Sequence, residues 1–102
     1  MNQFGERIKE LRELSGKLQK QVAHHLEIDT PMLSKIEHGE RYAKREHIKL
    51  FSEIFKVNEA DLLSLWLADK VFEVLKDEVV ALRAVHLAKV ELEHNIKHKQ
   101  IH

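Results

Sequence analysis

Residues 17–39, KLQKQVAHHLEIDTPMLSKIEHG, restrict the fold of this chain more than any other segment. Their apolar residues follow helical spacing and predict two short helices joined by a tight turn. Asp29 is placed to begin the second helix, Pro31 suits its first turn, and Gly39 is placed to end it. We predict buried positions for Gln19, Val22, Ala23, Leu26, Ile28, Leu33 and Ile36. The other side of the second helix is left small and polar.

The composition of the whole chain predicts an all-α protein of one domain, with room for an appended element. In 102 residues there are one Pro and three Gly, and an apolar fraction of 43% is enough for a modest core. The absence of Cys excludes disulfides and thiolate metal sites. The longest uncharged stretch, residues 62–68, is far shorter than the roughly 20 residues that span a bilayer. The charged N-terminus is unlike an export signal, so we expect a cytoplasmic protein without a membrane partner.

Apolar spacing and capping residues predict six helices. The first is capped by Asn2 and the fifth by Asn58, and Asp77 is placed to cap the last. The predicted ranges are about 3–15, about 19–26, from Asp29 to Gly39, about 45–55, from Asn58 onward, and about 78–98.

The fifth helix is apolar around almost its whole circumference between Leu62 and Leu75. Such a helix must be buried on more than one side, and the four preceding helices can cover only one. A C-terminal helix, a second subunit or both would have to cover the rest. We therefore expect a dimer interface that includes Leu65, Trp66, Phe72 and Leu75.

A short helix with one apolar and one hydrogen-bonding side fits the major groove of duplex DNA. Residues 4–63 resemble the lambda-repressor/Cro-like helix-turn-helix proteins, the XRE family. The resemblance is carried by Gly5–Ile8, Leu11-Arg12, Gln19, Val22-Ala23, Leu26, Ile28, the segment LSKIEHG at 33–39, residues 50–57 and Asp61–Leu63. It implies a five-helix DNA-binding bundle at residues 1–66. Residues 67–102 would then form a C-terminal helical extension that dimerises.

The resemblance also implies a role for individual residues. The side of the third helix that the family turns toward base edges would carry Thr30, Met32, Ser34 and Lys35. The DNA backbone would be contacted by Gln19, His38, Arg41, Lys44 and Arg45. The last three form a modest basic rim in a chain whose formal net charge is zero. Arg12 and Glu37 occupy positions at which some relatives pair the first helix with the third, and we expect that ion pair here.

Several positions depart from the family pattern, including Pro31 and Met32, which make the start of the third helix less polar than usual. The turn position that is commonly Gly holds Glu27, which would be strained if the backbone there has positive φ. The Thr or Ser usually found ahead of Gln19 is Leu18, so a capping hydroxyl is missing. The Pro common after the recognition helix is replaced around Ala43 and Lys44.

These features favour a transcription regulator, a repressor or autoregulator of its own operon, that binds a palindromic DNA operator as a homodimer. The alternative is a protein-interaction module whose C-terminal helices bind a partner protein, as an antitoxin grips a toxin. The apolar excess of the last two helices keeps that alternative open.

Neither a cofactor nor a metal is expected. His94, His98 and His102 recur every four residues and would form a row of imidazoles, which is one way to chelate Zn²⁺ or Ni²⁺. However, no carboxylate or thiolate completes a tetrahedral set. The sequence also lacks a Gly-rich phosphate loop, a Cys nucleophile and an arrangement of Ser, His and carboxylate suited to catalysis, so we expect no enzyme.

Overall fold

A computed structural model describes the backbone of residues 2–100 and the side chains of residues 2–96; this range contains six α-helices and no β-strand. The helices are α1 (Gln3–Leu14), α2 (Gln19–Leu26), α3 (Thr30–Glu37), α4 (Arg45–Phe55), α5 (Glu59–Leu75) and α6 (Ala81–Gln100). The all-helical class is confirmed, and the first five helices begin where the sequence predicts. The predicted start of the last helix is wrong, because turns occupy residues 76–80 and the helix begins at Ala81, four residues after Asp77.

The chain divides into two compact units, of which the first ends at Phe72 and the second begins at Glu73. The core of the first unit is built from apolar residues of α1 to α5 and the loop after α3. Its buried members are Phe4, Ile8, Val22, Ala23, Leu26, Leu33, Ile36, Ala43, Ile48, Phe51, Leu62 and Trp66. The predicted functional boundary between residues 66 and 67 falls inside α5, and it stays a prediction.

Two helices of the first unit end on a residue other than Gly in the left-handed conformation. Glu27 closes α2 with φ 57°, and Lys56 closes α4 with φ 55°. In both cases the amide of the following residue donates to a carbonyl near the end of the helix, as in the bond from Ile28 N to the Ala23 carbonyl at 3.1 Å. Glu27 thus has the positive φ under which the sequence predicts strain from its Cβ.

The second unit contains the end of α5, the turn at residues 76–80 and α6. Most of its large apolar side chains are exposed in the single chain. They include Val74, Val79, Val80, Leu82, Val85, Leu87, Val90, Leu92 and Ile96, each at least 42% exposed. Among the described residues, no helix is both long and apolar enough to span a membrane.

Candidate nucleic-acid interface

The third helix, α3, has two chemically different sides. The side that faces the core carries Leu33 and Ile36, which are 0% and 2% exposed, and also the charged residue Glu37 at 2%. On the other side Lys35 is exposed and Ser34 is half-buried. Because the apolar side is fixed in the core, the polar side can point only outward.

Both ends of α3 are closed by local hydrogen bonds. At its start, the Asp29 carboxylate accepts from the Met32 amide at 2.8 Å, which satisfies a first-turn donor. At its end, the Glu40 amide donates to the Lys35 carbonyl at 2.9 Å, and Gly39 takes the left-handed conformation with φ 76°. These caps keep a helix of only eight residues at a defined length.

Beneath α3, three polar side chains form what we call the Glu37 network: Arg12, Gln19 and Glu37. Arg12 donates to the Glu37 carboxylate twice, from Nε to Oε2 at 2.7 Å and from Nη2 to Oε1 at 3.0 Å. Gln19 Nε2 donates to Oε1 at 3.0 Å. The hydrogen bonds from Arg12 to Glu37 raise the pKa of Arg12 above its ordinary value. The structure thus brings the predicted ion pair together, with α2 as a third participant.

The start of α1 contacts the end of α3 at van der Waals distance. Asn2 Nδ2 donates to the Glu37 carbonyl at 2.8 Å, while its Oδ1 accepts from the Gly5 amide at 3.1 Å. A Cβ added to Gly5 would lie 2.3 Å from the Ile36 carbonyl oxygen, so only glycine allows this approach. The orientation of α3 is therefore determined from both α1 and α2.

The four residues predicted to contact bases do not have equal access to solvent. Lys35 is exposed, whereas Thr30, Met32 and Ser34 are half-buried. Met32 packs against the hydrophobic core, so only part of its side chain is available to an outside partner. The structure therefore leaves Lys35 as the most accessible of the four, and base contact itself stays a prediction.

Two of the residues predicted to contact phosphate have partners inside the protein. Gln19 Nε2 donates one N–H to Glu37, which orients the side-chain amide. The second N–H of Nε2 can then donate to a phosphate. The His38 ring nitrogen Nδ1 lies 2.7 Å from the Ser34 carbonyl. Since a carbonyl only accepts, Nδ1 carries the proton and Nε2 is left for an outside partner.

The other three, Arg41, Lys44 and Arg45, are exposed. Arg41 lies in the loop between α3 and α4, Lys44 is the N-cap residue of α4, and Arg45 is its first residue. Their positive charges therefore follow α3 within one short segment.

The loop between α3 and α4 is held by a residue of α5. Trp66 Nε1 donates to the Ala43 carbonyl at 2.8 Å in a buried hydrogen bond, and Ala43 itself is 3% exposed. This contact supports the loop at the position where the family commonly has Pro. The sequence offered no signal for it, because one Trp in an apolar helix is explained equally well by packing.

The residues expected in a dimer interface differ in how much surface they leave to a partner. Trp66 is 7% exposed and belongs to the core of its own chain, so it leaves little surface to a partner. Leu65 and Leu75 are half-buried, and Phe72 is 37% exposed. Dimerisation through these four residues stays a prediction.

Asp69 has a role that the sequence analysis missed. Asp69 is 5% exposed, and its carboxylate accepts from the amides of Gln3 and Phe4, each at 2.9 Å. These are two of the first-turn donors of α1, which the helix itself leaves unpaired. An acidic residue within the apolar stretch of α5 was the available signal.

No group of three or more possible metal ligands occurs among the described residues. Of the predicted histidine row, the side chain of His98 and the whole of His102 lie outside the described residues.

Comparison with known proteins agrees with this geometry. Residues 5–67, more than half of the chain, match a family model described as a helix-turn-helix domain. The matched range contains α2, α3, the Glu37 network and the segment with Arg41, Lys44 and Arg45. No curated protein and no solved structure shows significant similarity to the chain.

Proposed function

The chain belongs to the helix-turn-helix domain family, a family of DNA-binding proteins, and from this we propose that it is a sequence-specific transcription regulator of the lambda-repressor/Cro-like type. In this proposal it represses or autoregulates its own operon by binding a palindromic operator as a homodimer.

The observation that carries the proposal is the outward side of α3. Lys35 is exposed on a capped helix whose opposite side is buried, and Arg41, Lys44 and Arg45 follow in the next segment. A helix of this width enters the major groove, where Lys35 would donate to guanine O6 and N7. The basic residues beside it would bind phosphates and fix the register.

Two copies are required because one helix of eight residues makes few base contacts. In a two-fold dimer, the two recognition helices would enter successive major grooves about 34 Å or 10 bp apart. The operator would then be an inverted repeat with that half-site spacing.

The test begins with selection of bound duplexes from a random library, followed by affinity measurements on the selected sequence. Lys35→Ala should change the base preference at one position of each half-site, at about 1–3 kcal/mol. Arg41→Ala should weaken all sequences alike and reduce the slope of log affinity against log salt by about one. Lys9→Ala, on the exposed surface of α1, is the matched control and should do neither.

Two results would contradict the proposal. If the wild-type chain enriches no sequence and binds no duplex, regulation through DNA is excluded. If Lys35→Ala weakens all sequences equally while Arg41→Ala changes base preference, the two contact classes are reversed.

A second candidate function is supported by the exposed apolar side chains of the second unit, such as Leu82 at 86% and Val74 at 75%. An antitoxin-like chain would cover such a surface with a partner protein. Light scattering after size-exclusion chromatography separates the two candidates. A stable dimer that Phe72→Asp dissociates, with loss of operator binding, supports the self-contained regulator; a polydisperse species that binds hydrophobic dyes supports the partner.

A further inference from the structure

Lys70 lies between two aromatic rings. Its ammonium nitrogen is 3.8 Å from the centroid of the Trp66 ring and 5.4 Å from that of the Tyr42 ring. Both distances are within the range of a cation–π interaction. We call Tyr42, Trp66 and Lys70 the aromatic cluster.

The aromatic cluster joins α5 to the loop that follows α3. Trp66 and Lys70 are one turn apart on α5, and Tyr42 belongs to the loop. The residue after Tyr42 is Ala43, whose carbonyl accepts the buried hydrogen bond from Trp66. Two successive loop residues are therefore held by α5, one through its side chain and one through its backbone.

The other end of this loop is also restrained. Gly39 approaches Asn2 so closely that an added Cβ would lie 2.7 Å from Asn2 Cγ. Between the two restraints lies Arg41, and directly after them comes Lys44, both exposed. The positions of these two cations thus depend on contacts made at residues 39, 42 and 43.

Lys70 holds the loop through aromatic contacts rather than through an ion pair. No ion pair of Lys70 occurs among the described side chains, residues 2–96, and its contacts there are with the two rings. A ring face attracts the ammonium without cancelling its charge. Lys70 therefore contacts the loop through an aromatic ring and needs no carboxylate partner of its own to do so.

We propose that Lys70 is a positioning residue for DNA binding: through Tyr42 and Trp66 it holds the loop so that Arg41 and Lys44 meet the phosphates. This inference rests on the proposed function, since the contacts that it positions are DNA contacts. Holding the cations before binding lowers the ordering cost at the interface and so increases affinity.

The test compares Lys70→Met, which keeps the stem and removes the charge, with Lys70→Arg, which retains a cation for the rings. Lys9→Met on α1 removes the same charge away from any ring and controls for net charge. One readout is affinity for a labelled mixed-sequence duplex by fluorescence anisotropy. The other needs no DNA: the rate of limited trypsin cleavage after Arg41 and Lys44, assigned by mass spectrometry.

Lys70→Met should bind the duplex about 2- to 5-fold more weakly, as expected for an exposed cation–π contact, and be cleaved faster in the loop. Lys70→Arg should restore both values, and Lys9→Met should leave the cleavage rate unchanged. Unchanged loop cleavage in Lys70→Met would overturn the proposal, and so would faster cleavage with unchanged affinity.

A loss of affinity with a salt slope reduced by one and unchanged cleavage would show that Lys70 binds phosphate itself, which also overturns positioning. Failure of the wild-type chain to bind any duplex would refute the proposed function as well. If the wild-type chain binds the duplex and Lys70→Met has the same affinity and the same cleavage rate, only the positioning role is refuted.

Discussion

The two compact units of this chain use their polar and apolar side chains in opposite ways. In the unit that ends at Phe72, the buried polar side chains Glu37, Ser52 and Asp69 all have hydrogen-bond partners, and twelve apolar residues form the core. In the unit that begins at Glu73, no described side chain through residue 96 is buried. The first unit thus has directional contacts that specify one structure. The second exposes the surface that a folded protein usually covers.

The largest effect should come from the Glu37 network. Glu37→Ala leaves the guanidinium of Arg12, whose side chain is 13% exposed, without its carboxylate. Removing one partner of a buried ion pair costs about 3–5 kcal/mol, which we expect as a loss of unfolding free energy in urea titrations. The control in the second unit is Glu91→Ala on α6, where the side chain is exposed and the change should stay under about 0.5 kcal/mol. Equal losses in the two variants would contradict the comparison.

The contact of Asp69 with α1 should give the next largest effect. Asp69→Ala leaves the part-buried amide of Gln3 and the buried amide of Phe4 without an acceptor, which costs about 2–3 kcal/mol of unfolding free energy. Asp69→Asn keeps one acceptor oxygen and should lose about half as much. Asp77→Ala, eight residues along in the exposed turn, is the matched control and should be nearly neutral. A neutral Asp69→Ala would mean that water replaces the carboxylate.

Amide hydrogen exchange of Gln3 and Phe4 adds a local measurement to this prediction. Both amides should exchange faster in Asp69→Ala, because the free energy of locally opening the first turn of α1 is lower. In Asp77→Ala their exchange should match that of the wild-type chain.

Local chemistry explains how much of the fold the sequence predicts. Caps such as Asn2 and Asp29 act on amides three residues away, so their effect is visible in a short window of sequence. The helices of the first unit were predicted for this reason. The start of α6 was not, because Asp77 has the residue type of a cap but the chain turns twice before the helix begins.

Contacts between distant residues were predicted only where a resemblance supplied them. The pairing of Arg12 with Glu37 came from the family pattern, and the structure adds Gln19 to it. Trp66 with Ala43 and Asp69 with Gln3 join residues 23 and 66 positions apart, and spacing within the sequence carries no sign of either. The restraints on the loop that carries Arg41 could therefore be found only in three dimensions.

A smaller effect of opposite sign is expected at the end of α2. Glu27 has φ 57°, so Glu27→Gly relieves the strain of its Cβ, while glycine adds entropy to the unfolded chain. The net gain should be about 0.5–1 kcal/mol of unfolding free energy. Glu27→Ala removes the carboxylate but keeps the Cβ, and it should give no such gain. If both variants stabilise equally, the charge of Glu27 rather than its backbone conformation is responsible.

The smallest effect concerns α6 and tests the second unit directly. Val85 and Leu92 are 42% and 60% exposed in the single chain. Val85→Gln combined with Leu92→Gln keeps good helix formers and removes apolar surface, so in dilute protein the unfolding free energy should change by under about 0.5 kcal/mol. At high protein concentration, dimerisation should raise the apparent stability of the wild-type chain but not that of the double variant.

The wild-type melting temperature should therefore rise with protein concentration, while that of the double variant stays constant and the two meet on dilution. Thermal melts over a wide range of concentration measure this directly. A wild-type melting temperature independent of concentration would exclude a second copy as the cover of α6. The exposed side chains would then favour a partner protein, because apolar surface of this extent on a single helix is otherwise an aggregation liability.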